Sequence, residues 1–364
     1  MTAVHQFVPM LHRHDAVGVH TRVLRDRVVA AGMSSHIYTE ILDPHTSDET
    51  RPYLDYQSES APGDVLVYQL ATQSVVAEWV AGRAEPVVID YHGITPPGYF
   101  GPWDNAITRG QVGALHQLAR VAPSARLGIA HSQCMADELR RSGCVRTTVI
   151  PVGGIPVPPR EPGADVVAAL HARRHGAGHQ WLSVGRLAPN KCHEQVIAAL
   201  FAARRSSDPD ARLTIVGSPT VASYAAALHA YAAALGLSGA VDFVSGLSDL
   251  DLAAHYRAAD VLVMLSEHEG FGVPLVEAMG HGLPVVAYDG GAVGEILGGA
   301  GRLLAAKHPM LVAAEVARLL SDPAAVEEQR RAGRSRFDAL ELADVGDHLL
   351  SAVLGAAQPV AGVP

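Results

Sequence analysis

Short apolar runs alternate with stretches of helical periodicity along the whole chain. In the first half, Val4–Pro9, His36–Ile41, Asp64–Gln69, Pro86–Tyr91, Leu127–His131 and Thr147–Ile150 read as strands. Between them, Val17–Ala31 (closed by Gly32), Ser74–Ala81, Asn105–Val121 and Gln133–Arg141 read as helices. The stretch from Leu42 to Gly63 is polar and turn-rich, and reads as an irregular connection. Brief apolar strands separated by helices predict a parallel, doubly wound sheet with both faces covered.

Pro151-Val-Gly-Gly-Ile-Pro-Val-Pro-Pro159 breaks the alternation and reads as a linker, which puts a domain boundary near 155–180. The second half then repeats the pattern. Trp181–Val184, Leu213–Val216, Val241–Val244, Asp260–Leu265 and Pro284–Tyr288 read as strands. His193–Arg205, Ser223–Leu235, Asp249–Ala259, a helix from about Pro274, His308–Leu320 and Pro323–Arg331 read as helices, followed by an amphipathic stretch over Glu341–Leu354. Two similar α/β domains follow, over 1–160 and 161–340. Ligands of such sheets bind beyond the C-terminal ends of strands. The distinctive loops all follow strands, so one cleft can gather them.

Bulk properties narrow the picture. With 364 residues, 48% of them apolar and 18% charged, the chain suits two globular cores. A formal net charge of −9 argues against nucleic acid or an anionic membrane as the main partner. No apolar run is long enough for a spanning helix, and the first residues lack the pattern of a secretory leader, so a cytoplasmic location without membrane insertion is expected. Cys134, Cys144 and Cys192 show no metal spacing and read as reduced thiols. His12, His14 and His20 fit no standard metal site, so no metal is expected.

The chemistry concentrates in the second half. Ser266-Glu-His-Glu-Gly-Phe-Gly-Val-Pro-Leu-Val-Glu277 joins an apolar strand to a helix through a Gly-rich turn and carries Glu269 and Glu277. A strand, a turn and a helix N-terminus make an anion site, while the carboxylates suit hydroxyls such as those of ribose. Glu277 is expected in the first turn of that helix, where the dipole also favours it. Arg186 and Lys191 share the loop after Trp181–Val184 and suit a diphosphate. Lys191 and Lys307 are the only lysines in the chain. On the first half, His92 closes a strand, and Gly18 reads either as a turn glycine or as a point of close approach for a ligand. The loop Tyr91–Asp104, with Tyr99, Phe100, Trp103 and Asp104, could stack on a sugar or pack on itself.

Together these residues resemble the retaining GT-B glycosyltransferases of family 4, also called glycosyl transferases group 1. The resemblance is carried by Glu269…Glu277 with Gly-Phe-Gly-Val-Pro between, Val184-Gly-Arg-Leu-Ala-Pro-Asn-Lys191, Ala130-His-Ser132, Asp260-Val-Leu-Val-Met-Leu-Ser266 and Glu277-Ala-Met-Gly-His-Gly-Leu-Pro-Val-Val286. It covers most of 127–300. It implies two Rossmann-like domains facing across a cleft, with the last helix, about 341–364, returning to the first domain. It also implies a nucleotide-sugar donor, such as a UDP- or GDP-hexose, held mainly by the second domain. Arg186 and Lys191 would neutralise the diphosphate, Glu277 would hold ribose, and Glu269 and His92 would meet the transferred sugar. Gly18, Gly185, Gly217, Leu247, Gly270, Phe271, Gly272 and Val273 would complete the donor contacts. Family members often have two adjacent glycines where this chain has Val17-Gly18.

The acceptor is expected near His12, His14, Tyr99, Trp103, Asp104 and His131. Arg120 and Arg126 are the only cations in Gly110–Arg126, which favours a small soluble hydroxyl acceptor over a lipid. The reaction expected is a same-face transfer that needs no metal or other cofactor, by a monomer or homodimer. A GT-B epimerase or phosphorylase, or a non-catalytic nucleotide-sugar binder, is the alternative.

Overall fold

The computed structural model describes residues 3–12, 15–157, 159–172 and 178–358. The chain divides into two compact units. Unit 1 holds residues 1–98, 105–154 and 342–364, and unit 2 holds 99–104 and 155–341.

Unit 1 is built on seven parallel strands: β1 (Val4–Met10), β2 (Ile37–Ile41), β3 (Thr50–Pro52), β4 (Val65–Leu70), β5 (Val87–Tyr91), β6 (Leu127–Ala130) and β7 (Thr147–Val149). Their order across the sheet is β3-β2-β1-β4-β5-β6-β7. The winding reverses between β1 and β4, which pair directly, Gln6 opposite Val67. Its helices are α1 (Ala16–Ala30), a single turn α2 (Tyr56–Glu59), α3 (Val75–Ala81), α4 (Asn105–Val121) and α5 (Gln133–Arg141). The central strands β1, β4, β5 and β6 are buried on both sides, hence their continuous apolar reading. Phe7, Leu66, Tyr68 and Ile89 pack into one core with Val76, Val80, Leu118 and Leu139. Val4, Val65, Val67 and Val88 pack into the other with Leu24, Val28, Leu349 and Val353. Ser74 and Ser132 start α3 and α5 by accepting from backbone N–H groups two and three residues on.

The stretch from Leu42 to Gly63 is more ordered than its polarity predicts. It supplies edge strand β3 and α2. The reason is Tyr56, which is fully buried, stacks edge-on against Phe7 and Tyr38, and donates its hydroxyl to Asp64 Oδ2 at 3.0 Å. One aromatic anchor outweighs a polar run.

Unit 2 has six parallel strands: β8 (Gln180–Val184), β9 (Arg212–Val216), β10 (Val241–Val244), β11 (Val261–Met264), β12 (Val285–Tyr288) and β13 (Arg302–Leu304). They run in the order β10-β9-β8-β11-β12-β13, so the winding reverses between β8 and β11. The helices are α6 (Ala164–Ala172), α7 (His193–Ser206), α8 (Ala222–Ala234), α9 (Asp249–Ala258), α10 (Val273–Gly280), α11 (Val293–Leu297), α12 (Pro309–Leu320) and α13 (Pro323–Asp338). The sequence reading lacks α6, α11 and β13, each short and flanked by Gly or Pro. The last helix, α14 (Val345–Ala357), returns to unit 1 and packs on α1. Among the described residues no helix is long and apolar enough to cross a membrane.

Candidate active site

In unit 2 the distinctive residues gather beyond β8 and β11, the strands flanking the reversal, where an open sheet leaves a crevice. The loop after β8 runs through Gly185 and Arg186 and tightens into a 3-10 turn over Pro189–Lys191, and α7 follows. Gly217, at the end of β9, lies against this loop. A Cβ there would sit 1.9 Å from Gly185 O, so only glycine fits. Two hydrogen bonds, one main-chain and one from a side-chain amide, tie the β8 loop to the turn after β11: Glu267 N–H donates to Asn190 O (2.9 Å), and Asn190 Nδ2 donates to His268 O (3.1 Å).

This scaffold brings Lys191 and Glu269 together. Lys191 Nζ lies 2.6 Å from Glu269 Oε1, and Glu269 is only 6% exposed. Arg186 is exposed beside them in the chain, and His193 below it donates to Arg186 O and accepts from Ser183, both at 3.3 Å. Burial lowers the His193 ring to about 4, so it is neutral. The turn then passes through Gly270, buried Phe271 and Gly272, whose φ of 89° makes the left-handed N-cap of α10. Val273 opens that helix. Leu247 is half-buried beyond β10.

Glu277 corrects one expectation. It lies past the first turn of α10, so the helix dipole does not account for it. It accepts instead from the hydroxyl of buried Tyr256 on α9, at 2.7 Å. Burial pushes the Glu277 carboxyl up to about 7, the Tyr256 hydrogen bond opposes this, and the Asp249 charge adds to it. No local signal in the sequence pairs Tyr256 with Glu277.

A second cluster forms around Lys307, which contacts Glu267 Oε1 at 2.6 Å and Cys192 Sγ at 3.2 Å. Cys192 has a left-handed backbone, φ 53°. Burial raises the Tyr99 hydroxyl, and the neighbouring Glu267 carboxylate raises it further. Trp103 packs edge-on against Tyr224 at 5.1 Å, and its carbonyl accepts from Ser223. Tyr99, Trp103 and Asp104 thus lie with unit 2.

In unit 1 the polar residues gather beyond β1, β4, β5 and β6. His92 follows β5, and its Nε2 meets Gln69 Oε1 of β4 at 2.6 Å. His131, after β6, lies 3.1 Å from His92 Nδ1. Asp90, inside β5, and His20, on α1, are fully buried and contact each other at 2.9 Å. Burial alone would raise the Asp90 carboxyl, but His20 and then His131 hold it well below the carboxylate range. Asp90 is a functional candidate that the sequence reading omits, although a carboxylate inside the apolar run Val87–Tyr91 is a signal.

Gly18 is required by the chain itself: a Cβ would meet His12 O at 2.1 Å, and its N–H is capped by Asp15 Oδ1 at 2.6 Å. His12 contacts Asp43 at 3.5 Å. His14 lies outside the described residues.

Residues 176–336 match the family described as glycosyl transferases group 1. A D-inositol 3-phosphate glycosyltransferase of Streptomyces bingchenggensis is 35% identical over 150 residues, 39% of this chain and 33% of that protein. The chain spans about a third of the length of such curated relatives. Among solved structures, a sucrose-phosphate synthase from Thermosynechococcus elongatus superposes over 98% of this chain and 100% of its own, with a TM-score of 0.79 and 21% identity. The Anabaena protein HepE, crystallised with UDP-glucose, superposes over 97% of this chain and 99% of its own, with a TM-score of 0.75 and 18% identity. These likenesses establish a GT-B fold of two parallel-sheet α/β units, with the match to the glycosyl transferases group 1 family confined to residues 176–336.

Proposed function

We propose that the protein is a retaining glycosyltransferase that moves a hexose from a UDP- or GDP-sugar to a small hydroxyl acceptor without a metal. The observation that carries this reading is the Lys191–Glu269 pair at the reversal point of unit 2, with Arg186 on the same loop and Glu277 on the next helix. The bond between the sugar's anomeric carbon and the diphosphate oxygen breaks, and negative charge develops on the diphosphate. Lys191, Arg186 and the N-terminus of α10 meet that charge as it forms. Glu277 accepts from ribose hydroxyls, and Glu269 orients Lys191 and faces the sugar. The acceptor oxygen attacks the face the leaving group vacates, and its proton passes to the departing phosphate oxygen. Two cations and a helix N-terminus supply the countercharge that a divalent ion would otherwise bring.

The relatives' printed activities support the class, and HepE's ligand supports a uridine donor. Thermal-shift screening of UDP-, GDP- and dTDP-sugars identifies the donor, because a ligand of the folded state raises its stability by mass action. Transfer is then followed with and without EDTA, with the product anomer assigned by NMR. Retention without added metal is expected. An inverted product, an EDTA-sensitive rate, or epimerisation of the donor alone would each overturn the corresponding part.

A further inference from the structure

The protons of the His20–Asp90–His131–His92 cluster can be counted, because main-chain groups of fixed polarity close it. Gly153 N–H points at His20 Nδ1 (2.8 Å), so that nitrogen is bare and Nε2 carries the proton given to Asp90 Oδ2. Ile150 O faces His131 Nδ1 at 2.9 Å, so His131 Nδ1 carries a proton. On the third side, Gln6 Nε2 donates to Thr21 O (2.8 Å), Gln6 Oε1 accepts from Gln69 Nε2 (3.1 Å), and Gln69 Oε1 faces His92 Nε2 (2.6 Å). Turning over either amide, or both, sets two oxygens against each other somewhere along this chain. His92 Nε2 therefore also carries a proton. One contact remains, His131 Nε2 to His92 Nδ1 at 3.1 Å, and it needs a proton between its two nitrogens.

Two rings thus hold three protons, where two neutral imidazoles hold two. Burial lowers the basicity of both rings and by itself would leave the pair neutral. A neutral pair, however, either turns two bare ring nitrogens on each other or sets one against a carbonyl oxygen, an unsatisfied contact in a buried site. The charge also has a matching partner. Asp90 Oδ1 is fully buried, makes no hydrogen bond, and lies 3.4 Å from His131 Nε2. The titratable groups facing His131 are Asp90, His20 and His92.

We propose that the His92–His131 pair holds one excess proton, as an imidazolium against the Asp90 carboxylate, and that Asp90 thereby fixes His92 as a hydrogen-bond donor at Nε2 that cannot serve as a base. Asp90 and His20 are positioning residues. The same count closes the cluster to a metal ion, although the ligand atoms of His20, Asp90 and His131 lie within 4.8 Å of one another. A cation would need His20 Nε2 bare, and Gly153 N–H already occupies the other nitrogen. Resting on the function proposed above, what Asp90 contributes to transfer is this fixed orientation of the His92 ring, whose Nε2–H is held on Gln69 Oε1.

The test is nitrogen-15 NMR of the full chain labelled at histidine, at a pH about two above the ordinary histidine value, with rings assigned by single substitution. Three nitrogen-bound protons on the His92–His131 pair are expected, with His20 protonated at Nε2 alone. Singly protonated rings at all three positions would overturn the proposal, and this measurement needs no transfer activity. Asp90→Asn, checked for folding by circular dichroism, should lose the extra proton and lower transfer kcat about tenfold, with donor KM nearly unchanged. A folded Asp90→Asn with wild-type kcat would overturn the positioning role. A wild type without transfer activity would instead refute the proposed function and leave the proton count standing.

Discussion

The two units share a winding order and reverse it at the same place, yet they fill the space beyond their strands with different chemistry. In unit 1 the side chains on and just after β1, β4, β5 and β6 form a closed hydrogen-bonded network tied off by Thr21, Ile150 and Gly153 main-chain groups. In unit 2 the loops beyond β8 and β11 hold an ion pair, Lys191 with Glu269, and an exposed arginine. Topology chooses where residues converge. Residue type then decides whether the result is a fixed array of donors or a set of charges that can meet a developing anion.

That division is open to direct attack. Lys191→Ala is expected to have the largest effect: transfer kcat/KM should fall about 10²–10³-fold, and stability should drop by about 3 kcal/mol because Glu269 is left buried and unpaired. Steady-state kinetics and urea unfolding measure both. His92→Ala should cost less in kcat/KM, and a larger loss there would invert the assignment of charge chemistry to unit 2.

Gly217→Ala and Gly18→Ala come next. Each new methyl meets a backbone carbonyl, at 1.9 and 2.1 Å, so each should destabilise its own unit by about 2 kcal/mol or more. Limited proteolysis should locate the damage in unit 2 for the first and unit 1 for the second. Unchanged melting of either variant would mean that the close approach is not enforced.

A smaller effect comes from Glu277. Its folded pKa of about 7 lies above the ordinary 4.5, so between these values the folded chain holds a proton that the unfolded chain releases. Stability should therefore fall as pH rises from 4.5 to 7 and level off above it. In Glu277→Gln this slope should be absent from the urea-midpoint profile. The smallest effect expected is for Arg120→Ala, which breaks only the exposed pair with Glu78 and should move stability by less than about 0.5 kcal/mol.

The fold was legible because parallel strands covered on both sides leave unbroken apolar runs, and because Pro151–Pro159 interrupts the pattern so plainly. Glu269, Lys191 and Arg186 were legible as candidates because charged residues beside a Gly-rich turn have few structural reasons to be there. The partners were not. Tyr256 meets Glu277 from a different helix, and Lys191 reaches Glu269 across 78 positions of sequence. Gly18 and Gly217 teach a related limit, since a glycine that admits a ligand and one that admits the chain's own carbonyl look the same in a sequence. Tyr56 anchored a connection that composition alone marks as irregular.

The Tyr256-bound carboxyl at Glu277 has a thermodynamic consequence. A carboxyl half-protonated near neutrality gives up its proton when ribose hydroxyls begin to donate to it. On the proposed reading, donor capture at pH 7 is thus also an acid release. The heat measured in a titration calorimeter should then depend on the ionisation enthalpy of the buffer, and in Glu277→Gln it should not.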